Sequence, residues 1–314
     1  MLPSSPTAQL RWPIILSIFA AILTTGLKGT AYAVTGSIGL LSDALENITN
    51  LLAATTAYIA LVYAARPADK THAFGHEKIE YFSSGLEGLL IILAGVGTAI
   101  YAILRLIQPA ALSDLEIGTI LGAGAAIINL VVARVLLRQG RKYRSIVLEA
   151  DGKHLMADVW TSLGVLIGLL LVHFTGLKWL DPVMAILVGV NIVWTGGELV
   201  VKSFNGLMDH ALSEQELEQI RSVIQATLPE SATFHLLRTR RGGTRRFAEF
   251  HLLVDGELSV RAAHHLAHQV EAALTAAIPG LEVTIHIEPV DERDSWEREE
   301  LKHLEEPTEP EKIG

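Results

Sequence analysis

The stretch Ile146-Val-Leu-Glu-Ala-Asp151-Gly-Lys-His154-Leu-Met-Ala-Asp158-Val-Trp-Thr-Ser-Leu-Gly-Val-Leu-Ile-Gly-Leu-Leu-Leu-Val-His173 decides how this chain is read. It is long and apolar enough to cross a bilayer, which takes roughly 20 residues as helix. Yet it carries His154 and Asp158 four residues apart, a spacing that puts both on one helix face. A second apolar segment repeats the spacing with Asp43-x-x-x-Asn47. Polar and ionisable groups in a span are costly and mark ion pathways. Facing each other, the two pairs would offer three or four oxygen and nitrogen ligands to one divalent cation. Glu46, at i+3 from Asp43, borders the same face and is a second candidate beside Asn47.

Outward from that segment, apolar windows fit at about 12–33, 38–64, 84–107, 116–138, 146–173 and 182–203, so six spans are expected. Composition agrees. Half of the 314 residues are hydrophobic, only 19% are charged, and the mean hydropathy is +0.38. A soluble domain carries roughly a quarter charged residues. Cysteine is absent, which excludes disulfides and thiolate metal sites. The net charge of -9 comes mostly from the end of the chain, where Asp291–Gly314 holds ten acidic and four basic residues. That reads as a solvated acidic tail. Nothing points to nucleic-acid binding. Arg11, the apolar run after it and Ala31-Tyr32-Ala33 imitate a signal peptide, but Lys28 interrupts the pattern and a second span follows almost at once.

Lys and Arg collect in two connections, with Arg66, Lys70 and Lys78 in one and Arg138, Arg141, Lys142 and Arg144 in the other. The alternate connections hold only Lys178. The positive-inside rule then places the basic loops and both termini in the cytoplasm of a multi-pass inner-membrane protein. One basic loop also holds Asp69-x-x-His72-Ala-Phe-Gly-His76, three candidate ligands with Gly75 allowing a turn. The run His76-Glu-Lys-Ile-Glu80 is not the H-E-x-x-H of zinc peptidases.

From about Leu212 the pattern becomes that of a soluble domain: helix to Leu228, strands at Phe234–Arg240 and Arg246–Val254 around Gly242-Gly243, helix at Ser259–Ile278, and strand at Leu281–Glu288. That order predicts an open-faced α+β sandwich. His235, His251 and His286 fall on strands, and Glu288 shares a strand face with His286. His264, His265 and His268 lie on the second helix.

These residues together resemble the cation diffusion facilitator family of metal/proton antiporters. The resemblance covers roughly residues 12–290 and is carried by Ser42-Asp43-Ala-Leu-Glu-Asn47, Arg66-Pro-Ala-Asp69-Lys-Thr-His72-Ala-Phe-Gly-His76, His154-Leu-Met-Ala-Asp158, Leu237-Arg-Thr-Arg240 and Thr284-Ile-His286-Ile-Glu288-Pro289. It implies a leader at 1–11, a six-helix transmembrane domain at 12–208, a cytoplasmic ferredoxin-like domain at 209–290, an acidic disordered tail at 291–314, and a homodimer. It assigns Asp43, Asn47, His154 and Asp158 to the transport site and Asp69, His72 and His76 to a loop site. His235, His251, His264, His286 and Glu288 go to a binuclear cytoplasmic site. Two departures stand out: Asn47 where the family commonly has Asp, and Glu288 where Asp is frequent. The implied function is export of a divalent transition metal against protons, with zinc expected first and Fe, Mn, Cd, Co or Ni as alternatives. Metal binding needs neutral His154 and therefore releases protons. An anchored metal sensor or a membrane metalloenzyme would be the competing readings. The first has no use for paired ligands inside a span, and the second lacks its motif.

Overall fold

The computed structural model describes residues 10–35, 38–107, 115–177 and 179–296; within them, side chains at 31–49 and at several other helix positions are not described. The chain divides into two compact units, Met1–Leu207 and Met208–Gly314.

The first unit contains helices α1 (Arg11–Thr35), α2 (Ile38–Ala64), α3 (Ile79–Ile107), α4 (Leu115–Tyr143), α5 (Ile146–Thr175) and α6 (Leu180–Leu207). Among the described residues, Arg11–Thr30, Ile79–Leu104, Ala123–Tyr143 and Pro182–Leu207 are each long and apolar enough to cross a bilayer. In lipid every backbone amide must be satisfied within the segment, so helices are the form such sequences take. The outer faces suit the same solvent. On α3, Leu93, Ile100 and Ile107 recur every seven residues and are 67%, 54% and 70% exposed, an apolar stripe with no aqueous rationale.

Inside, the packing divides. One apolar cluster joins α1, α2, α4 and α5 through Ile14, Leu61, Leu136, Leu148 and Leu155. Another joins α3, α5 and α6 through Ile91, Ala150, Ile192 and Leu199. Helices α3 and α6 approach unusually closely because glycines meet at two levels one heptad apart. A Cβ on Gly196 would lie 2.9 Å from the Gly88 carbonyl oxygen, and one on Gly189 would lie 2.9 Å from that of Gly95. Small residues at such crossings let backbones touch, which drives helix association where no hydrophobic effect operates.

The second unit runs α7 (Glu214–Thr227), β1 (Thr233–Gly242), β2 (Arg245–Val254), α8 (Val260–Ala277) and β3 (Leu281–Pro289), then a 3-10 turn at Arg293–Ser295. This is the expected element order, each boundary within two residues. Ser213 and Glu216 form the capping box that starts α7, as their spacing predicts. The sheet order is β1-β2-β3, antiparallel between β1 and β2 and parallel between β2 and β3. Alternation along β2 separates two jobs. Ala248, Phe250, Leu252 and Val254 pack against Ile220 and Ile224 of α7 and Val270 and Leu274 of α8. His251 points from the other face, where the site residues lie.

Candidate metal centres

In the first unit, α5 presents His154 and Asp158 toward Asn50 of α2 and Asn129 of α4. The Asn50 Nδ2 donates to Asp158 Oδ2, and Asn129 Nδ2 donates to the same oxygen at 3.2 Å. His154 Nε2 lies 2.6 Å from Asn50 Oδ1. Asn50, Asn129 and His154 are all buried. A carboxylate only accepts, so Asp158 orients the Asn50 amide with its nitrogen inward and its oxygen toward His154. His154 must then donate from Nε2, which leaves a lone pair on Nδ1. That Nδ1 and Asn129 Oδ1 are buried and have no hydrogen-bond partner among the described residues. The constellation thus concentrates an imidazole nitrogen, a carboxylate and two amide oxygens among apolar helices. Those are hard and borderline ligands, the kind that hold a divalent cation without cysteine.

The side chains of Asp43, Glu46 and Asn47 lie outside the described residues, so the α2 contribution visible here is Asn50. A single i, i+4 pair per helix, as the sequence suggests for α2, does not include Asn50. Its signal was present: Asn50 stands four residues after Glu46 and seven after Asp43, on the same face. Asn129 had only its polarity within an apolar helix to mark it. Three more acids that the sequence pattern did not single out are buried in this unit, the first being Glu80 at the start of α3. Glu87 of α3 and Asp151, one turn before His154 on α5, are 3% and 2% exposed, and neither oxygen of Glu87 has a hydrogen-bond partner among the described residues.

The loop between α2 and α3 gathers Asp69, His72 and His76, whose candidate ligand atoms all lie within 4.8 Å of one another. Asp69 Oδ1 accepts from Thr71 N and Oγ1, both at 2.8 Å, and from His72 N at 2.7 Å. The Thr71 hydroxyl and these two amides hold its carboxyl well below the usual carboxylate range. Oδ2 stays turned toward His76 Nε2 at 3.3 Å. Gly75, at φ +92°, makes the turn that brings His76 back to His72, a conformation costly for other residues. Their rings sit 4.5 Å apart, and Tyr63 meets His76 edge-on at 4.9 Å.

The second unit places His235, His251 and His286 in one row across the sheet, since His235 pairs with His251 and His251 with His286. A bulge in β1 between His235 and Arg238 adjusts the register. Leu236 supplies it with φ +53°. The extra residue lets His235 and Arg238 both face the side of His251 and Glu249, which strict alternation forbids. Glu288 Oε2 sits 3.0 Å from His251 Nδ1 and 3.3 Å from His235 Nε2, and its Oε1 is 3.3 Å from His286 Nε2. Burial by itself pushes the Glu288 carboxyl up. The hydrogen bonds from His251 and His235, with the charges of His251 and His286, outweigh it, and the group ends below its ordinary value. His235, His251 and Glu288 offer ligand atoms within 4.8 Å of one another, a donor set that suits a borderline divalent metal. His264 is not in that cluster; its ring neighbours are His265 and His268 of its own helix, at 6.1 and 6.4 Å.

A lipid-facing helical unit with carboxylate, imidazole and amide ligands gathered between its helices, followed by a small histidine-bearing α+β unit, is the architecture of a membrane cation carrier. Comparison with known proteins agrees. The chain matches the cation efflux transmembrane domain over residues 14–208 and the cytoplasmic domain of cation efflux proteins over residues 212–290. It belongs to the cation diffusion facilitator family, whose members are transporters of divalent metal cations and not enzymes. An uncharacterized transporter of Synechocystis is 46% identical over 292 residues, covering 93% of this chain and 94% of the relative. The cation-efflux pump FieF of Serratia proteamaculans is 31% identical, covering 84% and 87%. Among solved structures, the zinc form of CzrB is 46% identical over 27% of this chain and 97% of that one, with a TM-score of 0.26. The metal-bound C-terminal domain of the CzcD transporter from Thermotoga maritima is 32% identical over 26% and 99%, with a TM-score of 0.24.

Proposed function

We propose that this chain is a six-span, proton-coupled antiporter that exports a divalent transition metal from the cytoplasm, with zinc as its main cargo. The observation that carries the reading is the contact of buried Asn50 and His154 with half-buried Asp158 between α2 and α5. An imidazole favours zinc over manganese or magnesium, although ligand type alone does not select among first-row metals.

Charge arithmetic refines the ligand set. Asp158 brings -1, while neutral His154 and the asparagines bring none, so a +2 cation would leave an excess of +1 in a low-dielectric site. A second carboxylate from α2 would neutralise it. Asp43 stands seven residues before Asn50, about 10 Å along the helix axis, too far to share one ion with it. Glu46 stands one turn away. The α2 ligands in this reading are therefore Glu46 and Asn50 rather than Asp43 and Asn47, with His154 and Asp158 supplied by α5. His154 accepts a proton as metal leaves, and the helices rock to expose the site to either side in turn.

Asp69, His72 and His76 form a second metal site in the cytoplasmic loop. His235, His251, His286 and Glu288 form a regulatory site in a ferredoxin-like domain whose metal binding stabilises a homodimer. The basic loops put both termini in the cytoplasm. The test is uptake by proteoliposomes under an imposed pH gradient, measured for zinc, cadmium, cobalt, nickel, iron and manganese. Zinc uptake that follows the gradient, and is lost in Asp158→Ala, is expected. Uptake indifferent to the gradient would refute proton coupling.

A further inference from the structure

Trp296 lies beyond the residues matched by the cytoplasmic domain of the family, yet the structure seats it on one of the candidate ligands. After β3 the chain is tied back three times. Val290 N donates to Val254 O at 2.8 Å, the Ser295 hydroxyl to Pro289 O at 2.7 Å, and Trp296 Nε1 to Val290 O at 2.9 Å. These bonds hold the indole against the His235 ring, with centroids 5.6 Å apart and planes at 61°. His251 meets the same imidazole at 5.2 Å and 69°. Edge-to-face pairs of this kind are attractive and directional.

Sheet order gives the contact its meaning. His235 sits on β1, one edge of the sheet, while Trp296 hangs from the end of β3, the other edge. β3 also carries Glu288, whose carboxylate faces His235 Nε2. His235 is the last residue in regular register with β2, opposite His251, before the bulge at Leu236, so the ladder orients its backbone from one side only. We infer that Trp296 is a positioning residue for the cytoplasmic metal site: its indole holds the His235 ring in the orientation that points Nε2 at Glu288 and covers one flank of the site. The ligand is a divalent transition metal, and the inference rests on the reading of His235, His251 and Glu288 as a metal site. Groups that orient a metal-binding imidazole commonly change affinity by about tenfold or more. A single half-exposed ring contact belongs at or below that end.

The test uses the full-length protein in detergent micelles with Co²⁺ as the probe, followed by its visible absorption and by quenching of intrinsic fluorescence. The cytoplasmic site is defined as the part of the Co²⁺ binding that His235→Ala removes. Trp296→Ala should weaken that part about three- to tenfold, and Trp296→Phe, which keeps an aromatic edge, should restore most of it. Of the five tryptophans, Trp296 should carry the quenching associated with this site, so Trp296→Phe abolishes that component. In the His235→Ala background Trp296→Ala should have no further effect. Unchanged affinity in Trp296→Ala, or an equal loss in the His235→Ala background, overturns the inference alone. Unchanged binding in His235→Ala overturns the metal site and the inference with it.

Discussion

Replacing Asn50 with leucine removes two hydrogen bonds, one buried and one partly buried, while nearly conserving volume. Asp158 would lose the Asn50 bond and keep the 3.2 Å bond from Asn129, and His154 Nε2 would face a methyl group in place of an amide oxygen 2.6 Å away. Hydrogen bonds involving a charged partner contribute about 1.5–3 kcal/mol, and leaving such a group unpaired in a buried site costs a similar amount. The bond to Asp158 falls in that class; the one to His154 is neutral and nearer 1 kcal/mol. Together they suggest about 3 kcal/mol of lost organisation, or about a hundredfold in cation affinity if Asn50 also ligates. The assay is zinc uptake into proteoliposomes across a range of concentrations. Asn50→Leu should raise the half-saturating concentration by at least tenfold and lower the maximal rate. Asn50→Asp, which adds a second carboxylate beside Asp158, should retain binding and change the order of preferred metals. Wild-type kinetics in Asn50→Leu would refute the placement of the cargo between α2 and α5.

Four further outcomes follow from the geometry. Gly196→Val puts a branched side chain where a single Cβ already meets the Gly88 carbonyl at 2.9 Å; the α3–α6 pair must separate, and thermal unfolding of the purified protein should fall by several degrees, about 1–3 kcal/mol. His251→Ala should abolish most metal binding by the second unit, read by calorimetry, while zinc uptake by the full chain persists; complete loss of uptake would mean the histidine row belongs to the transport path. The Asp69 carboxyl is depressed in the folded loop by Thr71 and His72. Its contribution is therefore present above the ordinary carboxylate range and fades as pH falls below about 4. Hydrogen exchange of the 66–78 loop, corrected for intrinsic rates, should show protection lost on acidification in the wild type and a flat profile in Asp69→Asn. Leu236→Gly should relieve the left-handed strain at the bulge, a cost of about 1 kcal/mol for a non-glycine residue. It should leave the affinity of the histidine row within twofold, and a large loss would show that the leucine side chain shapes the site.

The sequence by itself settled the class of this protein, because the physics involved is local. Bilayer-length apolar helices, a capping box at Ser213, glycine turns and period-two strands are all written in neighbouring residues, and the soluble unit was legible almost to the residue. So was the Asp69–His76 loop, where three ligands fall within eight positions. What only the tertiary structure decided is which polar groups meet. Asn50, Asn129 and His154 come from three helices separated by up to 104 residues in sequence, and helical spacing names faces without naming partners. The bulge at Leu236 likewise breaks the alternation from which side-chain direction is read, so His235 faces Glu288 for a reason invisible in the pattern. Trp296 reaches His235 only because hydrogen bonds fold the chain back over β3. Contacts of that kind depend on the closure of loops between distant elements, and short-range periodicity carries no record of them.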